Sequence, residues 1–260
     1  MIETKRRRDH PAALPHGEIK EVFKDIYFVK GSVCFCAIAM PLIKMTMSRN
    51  MTIIRYGDDE LCLVNSIRLT EKGLEELDKL GKVRHIIRLA GYHGIDDPFY
   101  KERYGATVWA PAGAPYFEEF DGTSKPYFDA DKCFTKDSKL PFDNAHALVI
   151  QSGKIREASI ILERVEGKVM ITGDAFQHIS KEDEYTSFFS SMILEWMGFI
   201  KPYNIGPVWY SYSKPDKKEI VDLLDWKFDH VPPCHGEPVV CDAWKKYQPV
   251  ITALKSASDL

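Results

Sequence analysis

Three short stretches of this 260-residue chain gather side chains able to hold a cation. In Gly91-Tyr92-His93-Gly94-Ile95-Asp96-Asp97 an imidazole and two carboxylates lie within five residues, and the glycines let the loop curl. Ile171-Thr172-Gly173-Asp174 ends an apolar run on a carboxylate. Val231-Pro232-Pro233-Cys234-His235-Gly236 holds His235 in a backbone stiffened by two prolines. Imidazole nitrogen and carboxylate oxygen could converge on one divalent cation. Each stretch also has an ordinary structural reading. Asp97 could cap a helix opening at Pro98, Asp174 could satisfy turn N–H groups, and His235 could be a core histidine. His178, four residues after Asp174, reads better as a surface histidine, and the remaining histidines read as structural.

The elements around these stretches would place each one just after a strand, where α/β proteins build their sites. Alternation and apolar runs predict strands over 25–32, 33–40, 51–56 and 61–64, with Gly57-Asp58-Asp59 as a turn. The period then changes. Leu74, Leu77 and Leu80 predict a helix over 70–80, with Thr70 as N-cap and Gly81 as its stop. A strand over 83–89, a short helix over 97–104 and a strand over 107–110 follow. Residues 111–144 are rich in proline and read as a long loop. The second half starts over with strands at 145–151, 158–164 and 168–172. Helices follow at about 184–199 and 215–225, then a strand at 228–231 and a helix from about 241. Two similar halves packed sheet on sheet predict an α/β fold, an αββα four-layer sandwich. Residues 1–24 read as a tail and 25–260 as one domain.

Composition narrows the function classes. Thirty-five basic and 38 acidic residues leave a net charge of −3, which argues against nucleic acid as a partner. Aromatic residues make up 12% and no low-complexity tract is present, so a packed core is expected. The longest apolar run, 33–43, is too short to span a membrane and is broken by Pro41. The charged start MIETKRRRDH has no apolar stretch behind it, so no secretory signal is expected. Six scattered cysteines without CxxC spacing predict reduced thiols and a cytoplasmic protein.

The order of these segments resembles the metallo-β-lactamase superfamily: a β-meander, then LTEKGLEELDKLGKVRHIIRLAGYHGIDDPFY, SGKIREASIILERVEGKVMITGDAF and PPCHGEP. The likeness runs from about residue 25 to 240 and is nearest to a divergent branch with an eroded HxHxDH motif. It implies the αββα fold and one or two zinc, iron or manganese ions. Asp174 in ITGDAF resembles the bridging aspartate, and His235 in CHGEP the final histidine. The first motif leaves three registers open. His93 stands at the first histidine with Asp97 as the motif's aspartate, or at the second with Asp96 at the last position. A register set by the strand end leaves no ligand at all. The middle histidine falls in SGKIREAS, where a GHTPGS-like register puts Lys154. A protonated ammonium has no lone pair to give a metal.

Two functions therefore stand side by side. One is a single-ion hydrolase using a metal-activated water, with His93, Asp96 or Asp97, Asp174 and His235 as ligands, Asp174 also orienting the water, and a small-molecule substrate. The other is a metal-free pseudo-enzyme, a binding or scaffold protein. In it Lys154, Arg156 and Arg88 would line a cationic pocket for an anion. Both place Asp174 and His235 in one cavity.

Overall fold

The computed structural model describes residues 10–37, 40–117 and 126–254, with the side chains of 36–43 and 117 left out. The expected tip of the second strand near Met40 and the first part of the long loop fall partly outside these residues.

Seven strands form the first sheet. In chain order they are β1 (Lys20–Phe23), β2 (Ile26–Ala37), β3 (Met40–Tyr56), β4 (Glu60–Val64), β5 (Lys82–Ile87), β6 (Thr107–Pro111) and β9 (Lys132–Phe134). Their spatial order is β1-β2-β3-β4-β5-β6-β9. The meander β1 to β4 is antiparallel, and β4 to β9 run parallel. A small pair, β7 (Tyr116–Phe117) and β8 (Pro126–Phe128), sits inside the segment expected to be loop. The second sheet is the antiparallel β10 (Ala145–Ile150), β11 (Glu157–Arg164) and β12 (Gly167–Thr172).

Two helices cover the first sheet. The first, α1 (Glu71–Leu80), starts at Thr70, whose hydroxyl accepts from the Gly73 N–H, and ends at Gly81. The second is α2 (Asp97–Tyr104), with Pro98 in its first turn. Leu74, Leu77, Phe99 and Tyr100 pack with Met51, Ile53, Leu63 and Ile86. Each such fully buried aliphatic side chain contributes roughly 1.5–3 kcal/mol. Between the sheets, Ile54, Val64, Ile87 and Leu89 meet Ala147, Ile160, Leu162 and Ile171. Behind the second sheet, Leu148, Ile161 and Met170 meet Trp209, Ile220 and Tyr247. Those last residues belong to α4 (Pro207–Ser213), α5 (Lys217–Asp222) and α6 (Ala243–Thr252). The three apolar layers therefore separate four structural ones, and the αββα sandwich is the fold.

Several elements differ from expectation. The two strands read over 25–40 are one strand, β2. β3 is far longer than 51–56, because the polar stretch Thr46–Asn50 pairs with Lys30–Cys34 where no alternating pattern marks it. β1 precedes the Asp25 boundary, and Ser32 N–H bonds to the Pro15 carbonyl at 3.1 Å, so part of the segment read as tail packs onto the first sheet. The helix expected at 184–199 is the shorter α3 (Phe188–Trp196), and the expected strand at 228–231 makes only isolated bridges. Among the described residues no helix is long and apolar enough to cross a membrane.

Candidate metal centre

Three chain ends deliver the site. β5 leads into the loop carrying His93, β12 ends two residues before Asp174, and the Pro232-Pro233 loop carries Cys234 and His235. Asn65 joins the first two: its carbonyl oxygen accepts from Leu89 N–H at 2.8 Å, and its amide donates to the Thr172 carbonyl at 3.1 Å. Asn50 on β3 holds the third. Its amide donates to the carbonyls of Pro233 (3.0 Å) and Gly236 (2.9 Å), while its own N–H bonds to the Cys234 carbonyl at 2.7 Å. At Gly236, φ is +91° and an added Cβ would lie 1.8 Å from the His178 carbonyl oxygen. Only glycine lets the His178 and His235 segments pair this closely.

One ligand atom each from His93, Asp174, Cys234 and His235 lies within 4.8 Å of the others, and all four residues are buried. Asp174 Oδ1 is 3.0 Å from His235 Nε2, 3.4 Å from His93 Nε2 and 3.5 Å from Cys234 Sγ. The two Nε2 atoms are 3.2 Å apart. His235 Nδ1 lies 2.7 Å from the Ser48 carbonyl. A carbonyl can only accept, so Nδ1 carries a proton. In neutral His235 the Nε2 lone pair then faces a carboxylate oxygen and a second imidazole. Three acceptor atoms at such distances repel unless a proton or a cation lies among them. His93 Nδ1 is buried with no hydrogen-bond partner. The donor set of two imidazoles, a carboxylate and a thiol fits one borderline-soft divalent ion.

The electrostatics favour that use. Burial alone would raise the Asp174 carboxyl, but His93 and His235 together hold it far below the usual carboxylate range. Burial pushes His93 down, outweighing the attraction of Asp174, so its imidazole tends to stay neutral. Burial pushes the Cys234 thiol well up, helped by the charges of Asp174 and Glu157. A metal bound there would have to displace the thiol proton.

Behind Asp174 stands Glu157, which is completely buried. Its Oε1 accepts from the Asp174 N–H, and Gly173 gives it room, since an added Cβ would lie 2.2 Å from that oxygen. Burial and the Asp174 charge raise the Glu157 carboxyl well above its ordinary value.

The structure brings His93, Asp174 and His235 together as their types suggested, and it corrects three other assignments. Asp96 is not with the cluster: it pairs with Arg49, and both side chains are buried. Asp97 neither caps α2 nor joins the cluster. It accepts from Ser66 Oγ and the Tyr116 hydroxyl, each at 2.6 Å. In both cases a hydrogen-bond donor from a neighbouring strand or loop has taken the carboxylate, which a linear motif cannot reveal. Lys154 is exposed, and its backbone N–H bonds to the Ser213 carbonyl at 2.8 Å. The residue packed into the first motif loop is its neighbour Ile155, against Gly91. An ammonium is solvated at low cost in water, whereas burying it is expensive. The expected cationic pocket also dissolves. Arg88 donates to the carbonyls of Ala114 and Pro115, and Arg156 donates to the Ala112 carbonyl at 2.9 Å. His178 is structural, stacked on Tyr203 with centroids 4.5 Å apart.

Five contributors were not marked by the sequence: Cys234, Glu157, Ser48, Asn50 and Asn65. Cys234 is adjacent to His235, and that pairing was a usable signal. The others lie on β3, on β11 or just after β4 and carry no local motif.

Neither a family model nor any curated protein matches the sequence. Solved structures do match in fold. DIM-1 metallo-β-lactamase exposed to ceftazidime aligns with TM-score 0.59 at 13% identity, over 93% of this chain and 99% of that one. The metallo-β-lactamase FIM-1 from Pseudomonas aeruginosa, in its mono-zinc form, aligns with TM-score 0.56 at 9% identity, over 94% and 98%. The peroxy diiron species of chemotaxis sensor ODP aligns with TM-score 0.53 at 11% identity, over 94% and 97%. With the four-layer sandwich and its buried cluster of ligand-type side chains, the chain is a metallo-β-lactamase-fold protein.

Proposed function

We propose that the protein is a metal-dependent hydrolase working with a single ion. The observation that carries this reading is the convergence of His93 Nε2, Asp174 Oδ1 and His235 Nε2 at 3.0–3.4 Å, with His235 fixed by Ser48. His93, Asp174 and His235 would hold the ion, with Cys234 as a fourth ligand. A bound zinc, iron or manganese ion supplies Lewis acidity that brings the pKa of a water toward 7. The chain's own part is orientation. Ser48 sets the His235 tautomer, Glu157 anchors the Asp174 backbone, and the second carboxylate oxygen of Asp174 would orient the water by accepting a hydrogen bond. The five cysteines described are unpaired thiols, which suits a cytoplasmic setting.

The test is elemental analysis of protein purified without chelator, joined to a hydrolysis panel of lactam, lactone, thioester and phosphodiester chromogens. Near-stoichiometric metal and one turned-over substrate, both lost in Asp174→Ala, support the reading. Metal-free protein whose melting temperature ignores chelator overturns it and returns the metal-free binding protein.

A further inference from the structure

A small cleft of about 70 Å³ opens beside the first loop. Its apolar lining includes Leu14, Val33, Ile67 and Ile95. Two arginines also line it, Arg49 and Arg68. Arg49 is already neutralised by Asp96 at the inner wall. Arg68 has no hydrogen bond or ion pair among the described residues. Its guanidinium carbon lies over the Phe99 ring, 3.2 Å from the centroid. Stacking of that kind fixes the plane of the fork and leaves its N–H edge to find an acceptor. The Nε atoms of both Arg49 and Arg68 are buried without a partner.

The other titratable groups lining the cleft do not supply that acceptor. Both ring nitrogens of His16 are already engaged: Nδ1 lies 2.7 Å from the Gly17 carbonyl, and Nε2 accepts from the Thr70 N–H at 2.9 Å. Asp96 is the one carboxylate among the lining residues, and Arg49 occupies it. The cleft therefore holds two guanidinium cations against one carboxylate, inside an apolar wall.

We infer that this cleft binds a small organic carboxylate with a short apolar body, its head on the Arg68 fork, its tail against Ile67 and Ile95. A guanidinium matches a planar carboxylate with two parallel donors, and the Arg68 fork has no such partner among the described residues. The apolar lining selects an organic acid over inorganic phosphate. The inference is independent of the metal reading, since none of the four clustered ligands lines the cleft.

The experiment is titration calorimetry of the full chain with hexanoate, in a chelator so that no metal-bound carboxylate contributes. Hexanol, hexylammonium and inorganic phosphate serve as comparisons. The expected result is saturable hexanoate binding, with each comparison at least about tenfold weaker. Arg68→Gln weakens hexanoate about tenfold or more, and Arg68→Lys recovers part of it. Ile95→Asp, at a position 46% exposed and so tolerant of change, sets a like charge in the cleft and removes binding even if the Arg68 variants fold poorly. Hexanol binding as tightly as hexanoate would reduce the cleft to an apolar crevice and overturn the inference. Phosphate binding more tightly than hexanoate, no saturable hexanoate binding, or Arg68→Gln and Ile95→Asp both unchanged would overturn it as well.

Discussion

The loop after β12 and the loop before β11 face the first motif loop from two sides, and they bring opposite chemistry to it. From the first side come Asp174 and, through the di-proline loop, His235, both within 3.4 Å of His93. From the second comes Ile155, a hydrocarbon packed on Gly91, while the adjacent Lys154 turns to solvent. One side can hold an ion and the other can only exclude water. The difference teaches that donors delivered from one side of a loop are enough to assemble a compact set. Backbone anchors from elsewhere, Asn65 and Asn50, hold the filled side rigid without help from the other.

The largest effect is expected from breaking the filled side. Asp174 touches all three of its companions, so Asp174→Ala should lower zinc or manganese affinity by more than about 100-fold. Retention of wild-type affinity would mean that His93, His235 and Cys234 alone define the site. Next comes the anchor. Asn50→Ala strips partners from two buried carbonyls and should cost about 1–3 kcal/mol in a denaturant melt. Metal affinity should fall with it, because the His235 loop loses its hold on β3. Unchanged stability would mean that water replaces the amide.

A third prediction sharpens the comparison through Asp97, the carboxylate the first loop withholds from the cluster. Burial raises its pKa from 3.8 to about 6, against the lowering pull of Ser66 and Tyr116. A carboxyl whose folded pKa is raised costs nothing below its unfolded pKa, where both states are protonated. Its contribution to stability is lost as pH rises from about 4 through about 6. The full loss is on the order of 2–3 kcal/mol. Asp97→Asn should flatten that part of the stability profile between pH 4 and 7, measured by denaturant melts against wild type. An unchanged profile would mean that Asp97 ionises freely in the fold.

How much of this could be read from sequence follows from where the information sits. His93 and Asp174 lie beyond the ends of β5 and β12, His235 follows a segment that makes only isolated bridges, and the residue types in each stretch marked all three. The helix at 71–80 was legible because Thr70, three leucines and Gly81 agree locally. β3 was not, because Thr46–Asn50 becomes strand through its partner on β2 rather than through alternation. With that strand went Ser48 and Asn50, which fix the ligand loop. Asp96 and Asp97 were misplaced for a related reason. A carboxylate goes to its strongest available donor, and Arg49, Ser66 and Tyr116 are 19 to 47 residues distant in the chain.

The smallest expected effect concerns Lys154, and it tests the unfilled side directly. A register drawn through SGKIREAS puts this lysine at a ligand position, where replacing it by histidine would add a ligand and remove a repelling charge. The structure assigns it to solvent, with its backbone tied to Ser213 and Ile155 turned toward Gly91 in its place. A solvated ammonium is screened by water and salt, so its repulsion of a buried cation is small. Lys154→His and Lys154→Ala should therefore bind zinc and manganese within about twofold of wild type by titration calorimetry, at a difference well under 1 kcal/mol. A clear gain confined to the histidine variant would mean that the 151–156 segment swings its lysine side inward when metal binds. The comparison between a filled and an unfilled side would then describe only the metal-free protein.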